Sequence, residues 1–320
     1  MLTLHLLQLG LPLALLALLV FAPPRSMMGW LVQALATSAV VLALGYAGIW
    51  TFPPWWARYV YAGLLVAAVL SFPVRQRHSA RWPHRPLGWL HLVGFATLGI
   101  YGATIFQGAL AGTVMPLGQA IDLSSPFERG TYLVANGGSA TSVNAHAAFL
   151  DRSIIRRRAY YGTGHGVDLI ALDRWGLRVD GILPADPRRY VIFSKPVVAP
   201  CDGSIIVAVD GLPDMPVPQV DRAHLAGNHV LLRCASVDVL LGHFQKGSVG
   251  VRVGQVLRVG DPVARVGNSG NSSEPHLHIH AQKPGTREAP FSGAPIPIRI
   301  EGRYLVRNDR LEVPTPQLRP

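Results

Sequence analysis

The sequence predicts two regions of different class: a membrane α-helical N-terminal region and an all-β C-terminal domain. Two observations predict this division. Before about residue 113 the chain is a series of long apolar runs with few charges. After it come short runs rich in Val, Ile and Leu, broken by Gly, Pro and Asp, with no long helical periodicity. A third observation says where the chemistry sits. A Gly/Asn/Ser loop, Gly267 to Ser273, leads into Pro275-His276-Leu277-His278-Ile279-His280. Residues two apart on a strand share a face, so three imidazoles line one side of one strand. Each carries polar nitrogens that need partners, and neutral imidazole is the commonest metal ligand.

Composition supports the membrane reading. Of 320 residues, 49% are hydrophobic and 15% charged, against about 25% charged in soluble domains. The mean hydropathy is +0.28. The formal charge of +11 favours an anionic partner: lipid headgroups, nucleic acid or an acidic envelope polymer. There are two cysteines, Cys201 and Cys234, and no CxxC motif. That excludes a cysteine zinc cage and leaves either a disulfide or two buried thiols.

Residues 1–113 hold four apolar runs, at about 2–21, 28–50, 55–72 and 87–111. Each approaches the roughly 20 residues that cross a bilayer as a helix. The first lacks a basic start and a small-residue cleavage site, so it reads as a retained span. Arg58, near the start of the third run, can snorkel to the headgroups. Pro23-Pro24, Pro53-Pro54 and Pro73 mark gaps, and Trp30, Trp50, Trp55, Trp56 and Trp89 sit near run ends as interfacial anchors would. Arg75, Arg77, Arg81 and Arg85 crowd one gap, which the positive-inside rule makes cytoplasmic. The simple reading of that gap is topology, not a nucleic-acid site. With four spans, both termini and the whole C-terminal domain are then extracytoplasmic. His91 is the one histidine within a run that reads as a functional candidate.

Residues 114–135 read as a linker that becomes a strand near Gly130–Ala135, followed by a turn at Asn136-Gly137-Gly138-Ser139. The β domain is expected over 136–310, with a polar tail at 311–320. Expected strands include Tyr190–Phe193, Ser204–Val209, His229–Cys234, Val237–Gly242, Pro262–Val266 and a last one at Arg303–Val306. Arg152 and Arg156-Arg157-Arg158 read as a solvated loop. The domain holds eight histidines, at 146, 165, 224, 229, 243, 276, 278 and 280. His165 and His243 stand beside glycines at candidate turns, where sites are commonly mounted. His224 and His229 are weaker candidates.

In order, Gly166-Val167-Asp168, Val198-Ala199-Pro200-Cys201-Asp202-Gly203, Gly227-Asn228-His229-Val230, Gly242-His243, Gly254-Gln255-Val256, Gly260-Asp261-Pro262-Val263, Gly267-Asn268-Ser269-Gly270 and Pro275-His276-Leu277-His278 resemble the LytM/lysostaphin-type zinc metallopeptidases. These mostly cut peptides of bacterial peptidoglycan. The resemblance spans about residues 160–285, and the His-x-His end is its most specific part. It implies an antiparallel β-sheet/sandwich core and a bound Zn2+. It implies that Asp168 and His278 are metal ligands and that His243 and His276 are catalytic. Residues 173–195 then look like an insertion at the rim.

One position departs from the pattern. The family's first ligand is a His four residues before the Asp, and here that residue is Gly164. Three readings follow. His165 reaches the metal because the flanking glycines let the backbone bend; His146 enters from the preceding segment; or tight zinc binding has been lost. His280 faces the same way as His278 and reads as a supporting group or a stray ligand.

The function expected is a membrane-anchored zinc metalloendopeptidase, multi-pass in a bacterial inner membrane, cutting peptidoglycan or another envelope peptide, with the lipid bilayer as partner and no nucleic acid. The alternative is a weak or inactive cell-wall-binding or regulatory module that keeps the peptidase fold. Runs almost free of internal charge make transport a poor fit.

Overall fold

The computed structural model describes residues 2–71 and 80–314. Pro73, Arg75, Arg77 and His78 of the basic gap, and the tail beyond residue 314, lie outside the described residues. The chain forms two compact units, Met1–Ala111 and Gly112–Pro320.

The first unit is helical: α1 (Leu2–Phe21), α2 (Met27–Ala47), α3 (Ala57–Leu70) and α4 (Pro86–Ala111). By length and composition α2 and α4 are able to cross a membrane. Ala57–Leu70 and the Leu7–Phe21 stretch of α1 are apolar but shorter. Among the described residues, two helices are candidate spans where four were expected. The third run falls short because Pro53, Pro54 and the turns around them consume its start. Small residues bring α2 and α4 together. A Cβ built on Gly102 would lie 3.1 Å from the backbone of Ala39 and Val40, and one on Gly99 3.2 Å from Ala36. Close approach of this kind is how helices associate where lipid removes the hydrophobic drive.

The second unit is β. Its strands are β1 (Ile121–Leu123), β2 (Gly130–Asn136), β3 (Val167–Leu172), β4 (Pro196–Val198), β5 (Gly203–Val209), β6 (Asn228–Cys234) and β7 (Val237–Phe244), then β8 (Val256–Leu257), β9 (Pro262–Arg265), β10 (Leu277–Gln282), β11 (Pro295–Ile296), β12 (Ile298–Ile300) and β13 (Arg310–Val313). The main sheet runs β13-β2-β3-β10-β7-β6-β5-β8, with β11 also on β10. Every pairing in it is antiparallel. Two small sheets, β1-β12 and β4-β9, complete the unit. One face of the main sheet packs on them. Leu169, Val230, Leu232, Val239, Leu241, Leu277 and Ile279 share one core with Val197, Ala199, Val263 and Ile300.

Alternation sends the intervening residues, Asp168, His278, His280 and Gln282, to the opposite face. These are buried too, so β10 is buried along its whole length. Two 3-10 segments, Ala145–Leu150 and Ile155–His165, supply the cover. Sequence periodicity gives no warning of them, because 3-10 turns are short and follow no amphipathic repeat.

Three expected elements are corrected. Strand β1 occupies part of the stretch expected as linker, while the strand expected near Gly130–Ala135 is β2, with Leu133 and Val134 fully buried beside β3 and β13. Tyr190–Phe193 is a turn held by an isolated bridge to Val179. The last strand is Arg310–Val313 and not Arg303–Val306, so the sheet continues into residues expected as a tail. The arginine stretch 152–158 is largely exposed, as a solvated segment would be.

Cys201 and Cys234 are bonded to each other across a separation of 33 residues. Closing a loop of that length contributes about 3–4 kcal/mol through the unfolded chain. Replacing both cysteines with serine is expected to lower the denaturant midpoint accordingly. An unchanged midpoint would show that the bond adds nothing to stability.

Candidate functional site

The site is built on one rung of the sheet. His278 on β10 stands opposite Asp168 on β3 and opposite Gly242 on β7. Asp168 in turn stands opposite Asn136 on β2. Neighbours across a rung hold their Cβ atoms about 4.5–5.5 Å apart, so Asn136, Asp168 and His278 touch by register alone. Asn136 donates from Nδ2 to Asp168 Oδ2 at 2.8 Å, and His278 Nδ1 lies 2.8 Å from Asp168 Oδ1.

His146 completes the cluster from outside the sheet. Its Nε2 lies 3.0 and 2.9 Å from the two Asp168 oxygens. Asn144 seats the segment that carries it. That side chain caps His146 N through Oδ1 and donates from Nδ2 to the carbonyls of Gly138 and Gly166. The lack of a side chain at Gly166 matters here, since a Cβ would lie 2.6 Å from His278 Cε1 and 3.3 Å from His146 Cδ2.

Gly164 is closed to a ligand for a packing reason. A Cβ there would run into the side chain of Leu150, on the same short segment as His146. Among the described residues His146, Asp168 and His278 form the one group able to hold a metal, with ligand atoms within 4.8 Å of one another. His165 is not in that group; its Nδ1 is buried without a partner.

His243 and His276 stand beside the cluster. A bulge makes this possible at His243. Between the pairs Asn228–Phe244 and Val230–Leu241, β7 spends one residue more than β6. His243 takes φ 64°, an uncommon conformation for a residue with a side chain. On an unbroken strand it would face the core with Leu241. Its ring centroid instead lies 4.6 Å from that of His276 and 6.0 Å from that of His278.

Both rings are fixed by backbone carbonyls. His243 Nδ1 donates to Ser269 O at 2.9 Å and His276 Nδ1 to Glu274 O at 2.9 Å. Each tautomer therefore leaves Nε2 for other work. The Gly/Asn/Ser loop serves as this scaffold. Asn268 N donates to Asp214 Oδ1, and Ser269 Oγ donates to Phe244 O while accepting from Asn228 N.

His278 reaches further, with its Nε2 2.8 Å from His280 Nδ1. His229 bonds Gly227 O through Nδ1, and His224 pairs with Asp221. Neither joins the cluster.

Electrostatics follow from burial. Desolvation pushes His278 down to about 4, against the opposing pull of Asp168. His243 and His280 are pushed well below the usual imidazole range, first by desolvation and then by neighbouring histidines. All three rings are therefore neutral at pH 7. Burial alone would raise Asp168, but the charges of His146 and His276 and hydrogen bonds from His146 and His278 outweigh it and hold the carboxylate ionised.

The donor set fits zinc: two imidazole nitrogens and one buried carboxylate. Ligands about 2.0–2.1 Å from a tetrahedral ion stand roughly 3.3 Å apart, comparable with the separations seen. The cluster opens on a cleft of about 80 Å³ walled by Phe149, Tyr160, Leu225 and Phe291, room for a few water molecules.

Comparison with known proteins bears on this site. Residues 191–290 match the model of Peptidase family M23. The matched stretch holds His243, His276 and His278; His146 and Asp168 lie upstream of it.

Similar solved structures include the catalytic domain of the antimicrobial peptidase lysostaphin from Staphylococcus simulans. It is 20% identical, with 40% of this chain and 74% of that chain covered and a TM-score of 0.26. A zinc-containing peptidase from Vibrio cholerae is 18% identical, covering 36% of this chain and 46% of that chain at TM-score 0.23. A putative peptidase M23 from Pseudomonas aeruginosa is 21% identical, covering 34% and 44% at TM-score 0.22. The chain spans less than half the length of the last two. No curated protein matches the sequence.

Sequence reasoning missed two groups that support the site. Asn136 reads as a turn residue in Asn-Gly-Gly-Ser, yet it bonds Asp168. Arg307, distant in sequence, donates from Nη2 to Asn136 Oδ1 at 2.7 Å. No local signal marks either one, because both depend on contacts between segments distant in sequence.

Proposed function

We propose that this chain is a membrane-anchored, zinc-dependent endopeptidase acting outside the cytoplasmic membrane on peptides of peptidoglycan. The observation that carries the reading is the convergence of His146, Asp168 and His278 with His243 and His276 beside them. His146, Asp168 and His278 hold the ion, and His146 takes the part that Gly164 is unable to play. Zinc, when bound, polarises the scissile carbonyl and makes water a nucleophile near neutral pH.

The chain's own residues do the rest. Asn136 and Arg307 hold the Asp168 carboxylate in place. Ser269 O and Glu274 O hold His243 and His276 with Nε2 exposed to the reacting atoms. A neutral Nε2 accepts a proton from the attacking water and passes it to the leaving amine. The second imidazole, with Nε2 likewise an acceptor, shares in taking and returning that proton.

Two features support an extracytoplasmic position. A disulfide suits an oxidising compartment, and the arginines before α4 mark the cytoplasmic side. Similarity of residues 191–290 to a peptidase family supports the reaction class.

The test is zinc content and hydrolysis measured together on protein purified without chelator. About one zinc per chain with cleavage of purified peptidoglycan is expected. Zinc without cleavage of peptidoglycan or its peptides would favour a binding module, and absence of both would sink the enzyme reading.

A further inference from the structure

We infer that the helical unit carries a binding site for the phosphate group of an anionic membrane lipid. The argument begins with charge. Residues 1–111 contain six arginines, at 25, 58, 75, 77, 81 and 85, with no lysine and no Asp or Glu; the first acid of the chain is Asp122. No cation in this unit has a carboxylate within the unit to pair with. Positive charge gathered at a membrane surface attracts anionic headgroups at about 1 kcal/mol per residue. Topology alone would require only that the arginines lie on one side. The fold does more than that.

Arg25 and Arg85 line one cavity of about 470 Å³, together with His84, Trp82 and His91. That volume lies within the roughly 300–1,000 Å³ of small-molecule sites. The cavity opens where α1 ends and α2 and α4 begin, walled by Pro23, Pro24 and Gly88. The segment before α4 is tied to α2, with Met27 N donating to Ala80 O and Met28 N to Arg81 O. This holds Arg25 and Arg85 over one space. On the cavity wall, His91 Nε2 is buried without a hydrogen-bond partner.

The residue types select the ligand. Two guanidinium forks match the oxygens of a phosphate, and a fork holds them bidentately where a lysine would not. Trp82 stacks on Trp89, with ring centroids 6.0 Å apart, and indoles favour the headgroup level of a bilayer. A soluble phosphate would meet the same arginines but would not use the apolar helix faces beside them. The site goes beyond the peptidase reading and rests only on its claim that this unit lies in a membrane.

The test uses the full-length protein in nanodiscs of phosphatidylcholine doped with phosphatidylglycerol, followed by detergent transfer and native mass spectrometry. Wild type is expected to retain phosphatidylglycerol in preference to phosphatidylcholine. R25Q/R85Q is expected to lose that preference about thirtyfold, while R58Q, away from the cavity, keeps it. R25K/R85K retains part, since charge survives and the fork does not. If the double variant does not express, the single variants R25Q and R85Q must each weaken retention.

Equal retention of the two lipids, or an unchanged preference in R25Q/R85Q, overturns the site. Displacement of the lipid by millimolar inorganic phosphate overturns the lipid assignment. A chain recovered outside the membrane fraction before any reconstitution overturns the membrane reading itself, which is a different failure.

Discussion

Asp168→Asn is expected to empty the metal centre while leaving the sheet folded. Zinc measured by mass spectrometry should fall from about one per chain to a trace, and hydrolysis should fall with it. The loss should exceed the roughly 10–100-fold that a supporting group costs, because Asp168 is the hub of the cluster. It meets His146, His278 and Asn136 at 2.8–3.0 Å, and a neutral amide both removes the charge and presents a donor where acceptors are needed.

His146→Ala should behave the same way. His165→Ala should keep its zinc, since His165 is outside the group of possible ligands. That comparison separates two of the sequence-based alternatives. If the His146 variant retains full zinc and the His165 variant loses it, the assignment of His146 is wrong. If Asp168→Asn retains full zinc, the whole centre is misplaced.

The contrast between His146 and His165 shows what a sequence of this kind makes legible. Alternation places His276, His278 and His280 on one face of one strand, and Asp168 joins His278 only through the family resemblance, which follows motif order. The antiparallel character of the domain is readable from short apolar runs broken by turn residues. Such reasoning stops at the cover. Ala145–Leu150 and Ile155–His165 are 3-10 segments without periodicity, so where they place His146 is a tertiary fact. Gly164 marks the departure in sequence, but the reason for it is Leu150, which fills the space a side chain there would need.

His243 is a mixed case. Its residue type and strand-end position are visible, whereas the bulge that turns it off the core face is an extra residue in one ladder, which no single strand displays. In the helical unit, apolar runs are read easily, but their useful length is not. Prolines and turns take the start of the third run and leave α3 with 14 residues.

The last prediction separates catalysis from metal binding. His276→Ala and His243→Ala should each keep about one zinc per chain and lose about 10²–10⁴ in kcat, the usual worth of a positioned acid–base group. Neither ring belongs to the ligand group, yet each is anchored through Nδ1 to a carbonyl of the same loop region, Ser269 O and Glu274 O. That anchoring fixes the tautomer as well as the position. His→Asn, which restores some polarity but has no ring nitrogen at the Nε2 position, should therefore rescue little.

The rings are in mutual contact, 4.6 Å between centroids, so they are expected to act as a unit. The double variant should then lose little more than the worse single variant, because groups that serve one proton pathway are strongly non-additive. Independent, multiplicative losses would mean that the two histidines serve separate steps. Loss of zinc in either single variant would move that residue from catalysis into the metal shell. A kcat within threefold of wild type for both would leave the cluster as a metal site without the acid–base pair that peptide hydrolysis requires.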